Sequence, residues 1–210
     1  MKRLHRRDLW CWSTFNERLD IDFNSFVWTR AAGGNVVIDP LPMTPHDREH
    51  LRKLGGAAWI VLTNSDHVRG ARALADEFGA KVAGPAAERE RFPLTCDAWI
   101  SEREPLFDWR VYELEGSKTP GELALLIEQT TLVTGDLVRA HRPAALMMLR
   151  PDQGLRDDAA ARESVARLAA LPHLEAVLVG DGWPLFADCH EALRAISDSP
   201  PADSLPTGRV

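Results

Sequence analysis

Cysteine is scarce in this chain, positive charge is outnumbered and long apolar runs are missing, and each shortage excludes something. The three cysteines among 210 residues, Cys11, Cys96 and Cys189, lie far apart with no CxxC pair. Neither a disulfide framework nor a thiolate metal site is therefore expected, and a reducing cytoplasm fits the composition. No uninterrupted apolar stretch approaches the roughly 20 residues that a membrane-spanning helix needs. The opening MKRLHRRDLWCWSTF carries a positive flank, but polar Ser13, Asn16 and Glu17 arrive before an apolar stretch of about 7–15 residues can form, so no secretory leader is expected. With 25 Lys and Arg against 31 Asp and Glu, the formal charge is −6, the wrong sign for a protein built to hold phosphate backbones. Arg48, Arg52, Lys53, Arg69 and Arg72 alternate with apolar residues at helical spacing and read as a solvated face. Neither nucleic acid nor membrane is expected as a partner. A glycine-rich phosphate loop and a serine nucleophile elbow are both missing.

What is present is ordinary globular material, 45% hydrophobic and 27% charged, enough for one sizeable core. The N-terminal third reads as strands over Trp10 to Thr14, Phe23 to Thr29 and Asn35 to Ile38. Thr44-Pro45 reads as a helix N-cap with proline in the first turn, and Gly55-Gly56 ends that helix. Ala57 to Leu62 is apolar on nearly every residue, as a strand buried on both faces would be. A helix over Val68 to Phe78 and a strand over Lys81 to Ala83 follow. The second half repeats the alternation, with strands at Arg110 to Leu114, Leu123 to Ile127, Thr131 to Val133 and Leu174 to Val179, and helices at Asp158 to Leu171 and Ala187 to Ile196. The reading is an α/β domain over residues 1–196. The segment 197–210 is rich in Pro and Ser and is expected to lie outside the core.

Sites in α/β folds gather where buried strands end. AWIVL leads into Thr63-Asn64-Ser65-Asp66-His67, TLVT into Gly135-Asp136, and AVLVG into Asp181-Gly182-Trp183; Val111 to Leu114 leads into Glu115-Gly116-Ser117-Lys118-Thr119-Pro120-Gly121. Each alone is compatible with a turn. Together, in order and spacing from about Phe23 to Ile196, they resemble the metallo-β-lactamase fold family. The family's HxHxDH motif, aligned without gaps on Asp66-His67, meets Leu62 and Asn64 where its leading histidines stand. Its GH[ST]PG stretch looks like Ser117 to Gly121 with Lys118 in place of histidine, its GD element matches Gly135-Asp136, and Asp181 takes the place of the last histidine.

The resemblance implies a four-layer αβ/βα sandwich and a metal-dependent hydrolase of an ester, thioester, lactone or phosphodiester. Its second metal site would keep Asp66, His67 and Asp136, with Asp181 as a fourth donor. At most one divalent ion is expected there, zinc foremost with iron or manganese as alternatives, or none. Three carboxylates resist common ionisation, and the expectation is that a divalent ion and the Lys118 ammonium together cancel them. Lys118 would then steady a developing oxyanion, beside Asp66 as the other catalytic residue. The competing class is a metal-free pseudoenzyme that binds a ligand or a partner. A small molecule is the expected partner, with a homodimer as the assembly considered. His46 and His50 share a helix face but lack an acidic partner nearby. Asp39 reads as a turn former close to the cleft, and Trp183 as a pocket wall or a core residue.

Overall fold

The structure, a computed structural model, describes residues 1–199; most of the segment 197–210 lies outside the described residues. Seven strands form the first sheet in chain order: β1 (Lys2–Arg3), β2 (Leu9–Asn16), β3 (Ile21–Trp28), β4 (Val36–Ile38), β5 (Trp59–Val61), β6 (Lys81–Pro85) and β7 (Ala98–Ile100). Pairing is antiparallel as far as β4 and parallel from there on. The parallel crossovers need helices, supplied by α1 (Pro45–Lys53) and α2 (Ala71–Phe78). Leu51 and Leu74 from those helices pack with Val27, Val37, Ile60 and Val82 on the outer face of the sheet.

The second half builds β8 (Arg110–Glu113), β9 (Leu123–Ile127) and β10 (Thr131–Thr134), then a two-stranded ribbon of β11 (Val138–Arg142) and β12 (Ala145–Met148), and finally β13 (Ala176–Val179). The spatial order of the second sheet is β13-β10-β9-β8, with β13 parallel to β10. Its outer face is covered by α3 (Asp158–Ala169) and α4 (Cys189–Ser197), whose Val165, Leu168 and Leu193 meet Leu126, Leu132 and Val177. Between the sheets lie Phe26, Trp28, Ile38, Val61 and Ile100 against Leu123, Leu125, Val133 and Leu178. Helix, sheet, sheet, helix is the expected αβ/βα sandwich. No described helix is long and apolar enough to cross a membrane.

The sheets are also joined by polar contacts. Asn24 on β3 is buried, and its Nδ2 donates to the carbonyls of Val179 and Gly182 at 2.9 and 2.7 Å, while its backbone N–H donates to Gly180 at 2.8 Å. An asparagine at this place holds the end of β13 against the first sheet.

The N-cap of α1 is the one expected from the sequence: Thr44 Oγ1 accepts from the Asp47 N–H at 3.1 Å, with Pro45 in the first turn. Thr44→Ala should cost about 1 kcal/mol of stability. Denaturant unfolding checks this, and an unchanged midpoint would mean that the cap is not kept in solution.

Candidate active site

The loops after β4, β5, β8, β10 and β13 converge at one end of the sandwich, because both sheets present the carboxyl ends of parallel strands there. After β5 the chain makes a short 3-10 turn over Ser65–His67. Asn64, whose Oδ1 accepts from the Asp66 N–H at 3.0 Å, caps this turn, and Asp66 does not cap a helix. The turn swings His67 back into the core, where it is 1% exposed.

Asp39 holds the imidazole from the other side. Its φ of 48° is left-handed, as a turn former's would be, yet the carboxylate is buried and committed. Asp39 Oδ2 faces His67 Nδ1 at 2.8 Å and accepts from Thr63 Oγ1 at 2.6 Å, and Oδ1 accepts from the Thr63 N–H at 2.8 Å. His67 Nε2 lies 3.4 Å from Asp136 Oδ1, an ion-pair distance without hydrogen-bond geometry. Burial opposes the imidazolium, but Asp39 and Asp136 outweigh it and push the His67 pKa up to about 10. Burial would also raise Asp136, yet His67⁺, then Arg139 and Lys118, hold it well below the usual carboxylate range.

Arg139 was not anticipated. It lies on β11, three residues beyond Asp136, and is 7% exposed. Its Nε donates to the Asp136 carbonyl at 3.0 Å, and its Nη2 stands 3.4 Å from Asp136 Oδ1 and 3.4 Å from Asp181 Oδ2. One guanidinium therefore bridges two of the expected metal ligands. Burial raises the Asp181 pKa and Asp136 adds to this, with Arg139 opposing. Arg69, expected on a solvated face, stacks on Phe23 at 5.0 Å and acts electrostatically on His67 and Asp181.

Lys118 and Asp66 form a salt bridge to each other, each side chain 43% exposed. Burial works against the ammonium, but the Asp66 hydrogen bond and the charge of Asp136 raise the Lys118 pKa above its ordinary value. This pair lines a cavity of about 640 Å³ together with Ser65, Glu88, Arg91, Thr119 and Arg156. A slightly larger cavity, about 670 Å³, is lined by Glu115 but by none of the expected catalytic or metal-binding residues. Behind the pair, Glu122 is fully buried: its Oε2 accepts from Ser117 Oγ, its Oε1 accepts from the Leu137 N–H at 2.8 Å, and burial followed by the charge of Asp136 pushes its pKa up to about 7.

The expected ligand set is thus divided. His67, Asp136 and Asp181 meet in the sealed interior, whereas Asp66 turns out toward Lys118 and the cavity. Among the described residues, no group of three His, Cys, Asp or Glu side chains is arranged to hold a metal ion. The expected charge balance changes with it. Asp39, Asp136 and Asp181 are answered by His67⁺, Arg139 and Arg69, and Asp66 by Lys118. The donors as placed do not fit a divalent ion, because protein cations already hold the carboxylates it would need. Leu62, given the place of a leading histidine by ungapped alignment, packs with the outer helical layer and does not face the cleft.

The remaining candidates resolve simply. His50 packs edge-on to Trp10 at 5.0 Å, whereas His46 is exposed on the same helix. Trp183 is 59% exposed, so it belongs to neither the core nor the cavity wall. A signal for Arg139 was present in TGDLVRA: a basic residue set between apolar Val138 and Ala140, three positions after the aspartate.

Comparison with known proteins agrees with the architecture. No curated protein matches the chain. A B3 metallo-beta-lactamase, BLEG-1, superposes with a TM-score of 0.68 at 16% identity, covering 90% of this chain and 98% of that one. TTHA1623 in a di-iron-bound form gives 0.65 at 21% identity over 83% and 94%, and ETHE1 from Myxococcus xanthus gives 0.66 at 15% over 91% and 86%. At such identities the likeness is one of fold. The sequence model of the metallo-beta-lactamase superfamily matches residues 1–199, and with the layered sandwich and the converging loops this establishes that the chain belongs to that superfamily.

Proposed function

We propose that the protein hydrolyses a small ester, thioester, lactone or phosphodiester in the cavity beside Lys118 and Asp66. The observation that supports this is the half-exposed Lys118–Asp66 pair on the wall of a cavity large enough for a small molecule, while the other motif residues are closed off behind it. Lys118 meets the carbonyl or phosphoryl oxygen and steadies the negative charge that develops there. Asp66 accepts the proton of the attacking water as the new bond to the carbonyl carbon or phosphorus forms and the leaving group departs with its electron pair. Arg91 and Arg156 also line the cavity, where Glu88 and Glu90 balance them in formal charge.

The test is turnover of p-nitrophenyl acetate, a homoserine lactone and bis(p-nitrophenyl) phosphate by the full chain. Lys118→Ala and Asp66→Asn should each lower kcat/KM by about 100-fold or more on whichever substrate is turned over. Variants as active as the wild type, or no turnover of any substrate, would overturn the reading and leave a binding module in the same fold.

A second reading, the metal-dependent hydrolase with zinc, iron or manganese, is favoured by one observation. His67 Nε2, Asp136 Oδ2 and Asp181 Oδ1 are buried without hydrogen-bond partners. It requires these atoms, which as placed are not grouped to hold an ion among the described residues, to draw together around one.

A further inference from the structure

We infer that the chain has replaced the metal centre of its fold with its own cations, and that Arg139 is the substitute that makes the site metal-independent. The juxtaposition is specific. One guanidinium nitrogen stands 3.4 Å from a carboxylate oxygen of Asp136 and 3.4 Å from one of Asp181. A zinc ion on those two oxygens would need them at about 2.0–2.2 Å, in space that Arg139 already claims, and the oxygens left free, Asp136 Oδ2 and Asp181 Oδ1, are not grouped with His67 so as to hold an ion among the described residues. The guanidinium is not a surface group that could swing aside. It is 7% exposed, and its Nε is fixed to the Asp136 carbonyl at 3.0 Å. Displacing it would leave a buried cation without its partners, which is strongly unfavourable.

The fold around Arg139 is built to keep it there. Its neighbour Ala140 donates its N–H to the Asp181 carbonyl at 3.0 Å and accepts from the Trp183 N–H at 2.8 Å, so β11 and the loop after β13 are stitched together at this crossing. Arginine suits the position better than lysine, since its planar fork lets Nη2 face both carboxylates while Nε holds the Asp136 carbonyl. On the cavity side Lys118 does the corresponding service for Asp66. Each of the three carboxylates expected to bind metal therefore has a protein cation as its counter-ion.

The experiment uses the full chain purified without added metal, analysed for metal content and titrated with Zn²⁺ by calorimetry and thermal unfolding. The wild type should carry far less than one equivalent of metal, and neither EDTA nor Zn²⁺ should shift its midpoint. Arg139→Ala should bind Zn²⁺ at least tenfold more tightly than the wild type, roughly 1.4 kcal/mol, and should gain thermal stability on adding it. A wild type that retains one equivalent through chelation, or an Arg139→Ala with unchanged Zn²⁺ affinity, would overturn the inference. Should Arg139→Ala not fold, the double variant Arg139→Ala, Asp181→Asn removes one charge of each sign. It should fold and ignore zinc as the wild type does, and a double variant that folds only with zinc would count against the inference. Hydrolysis measured on the same samples separates the two readings: turnover abolished by EDTA overturns this one alone, whereas stable, zinc-indifferent protein without turnover overturns only the hydrolase.

Discussion

His67→Leu is expected to lower the unfolding free energy by about 3–5 kcal/mol, because it removes the cation between two buried carboxylates, leaving Asp39 without a counter-ion and Asp136 dependent on Arg139. The wild type should show the same interaction as a pH dependence. His67 titrates near 10 in the fold against 6.5 ordinarily, so its contribution is complete below about pH 6.5 and is lost as pH rises toward 10, at about 1.4 kcal/mol per unit within that window. Glu122, raised to about 7 from 4.5, favours the folded state through its retained proton, and that advantage fades as pH rises from about 4.5 to 7. Asp136 runs the other way: its pKa is depressed, so its contribution is present above about pH 4 and is lost under strong acid. Stability should therefore peak between about pH 4 and 5 and decline on the alkaline side. Between pH 7 and 10 only His67 of these three titrates. Urea unfolding at pH 7 and 8.5 should show a wild type that loses clearly more stability than His67→Leu; toward pH 10 the cysteine thiols, raised by burial, add a decline common to both. A flat wild-type profile would mean that the imidazole is neutral at pH 7.

Gly182→Ala should be at least as damaging, with a loss of more than about 3 kcal/mol. Gly182 has φ +95°, and a Cβ there would lie 2.0 Å from the Ala140 carbonyl oxygen and 2.6 Å from its carbon. Neither neighbour is a flexible side chain. The glycine N–H donates to Asp22 at 2.7 Å and its carbonyl accepts from Asn24, so the strand cannot retreat without giving up those bonds. The displaced segment carries Asp181, so Arg139 would lose one of its two partners together with the fold energy. Gly33→Ala is the control: its φ is +81° but nothing lies within 4 Å of the new methyl, leaving only the about 1–2 kcal/mol of the backbone conformation. Thermal unfolding of the two variants side by side decides the matter. A Gly182→Ala within 1 kcal/mol of the control would show that the crossing of β11 over this loop is looser than described.

The sequence was legible where periodicity and burial agree. Leu123–Ile127 was read at its observed bounds, and the strands leading into Asp136 and Asp181 were found because each is buried on every residue. Short edge pieces such as β1 and β7 escaped, since two or three residues carry no period. The helix expected from Val68 begins at Ala71, because the chain first leaves the 3-10 turn that delivers His67 and ties the Gly70 N–H to the Pro40 carbonyl at 2.8 Å. The site was legible as a list of carboxylates but not as a charge balance. Arg139 lies on a ribbon strand that was not read as one, and its guanidinium points inward, against the usual preference of arginine for the surface. Asp39 was read correctly as a turn residue, yet nothing local shows that the same turn aims its carboxylate at a histidine 28 positions later.

The clamp made by Asn24 carries a consequence for the order in which the molecule comes into being. Its side chain closes on carbonyls 155 and 158 positions further along the chain, so during synthesis the start of β3, beyond its pairing with β4, waits for nearly the whole polypeptide before it meets the loop after β13. Domains fold as units while the chain emerges from its N-terminus, and closing so long a loop is an entropic cost met before any contact rewards it. Asp136 and Arg139 are made before β13 arrives, and until then Arg139 has only one of its two carboxylates. The charge network is therefore among the last parts of the molecule to assemble, and a nascent or truncated chain ending before Asp181 presents the cleft loops without the aspartate that completes them.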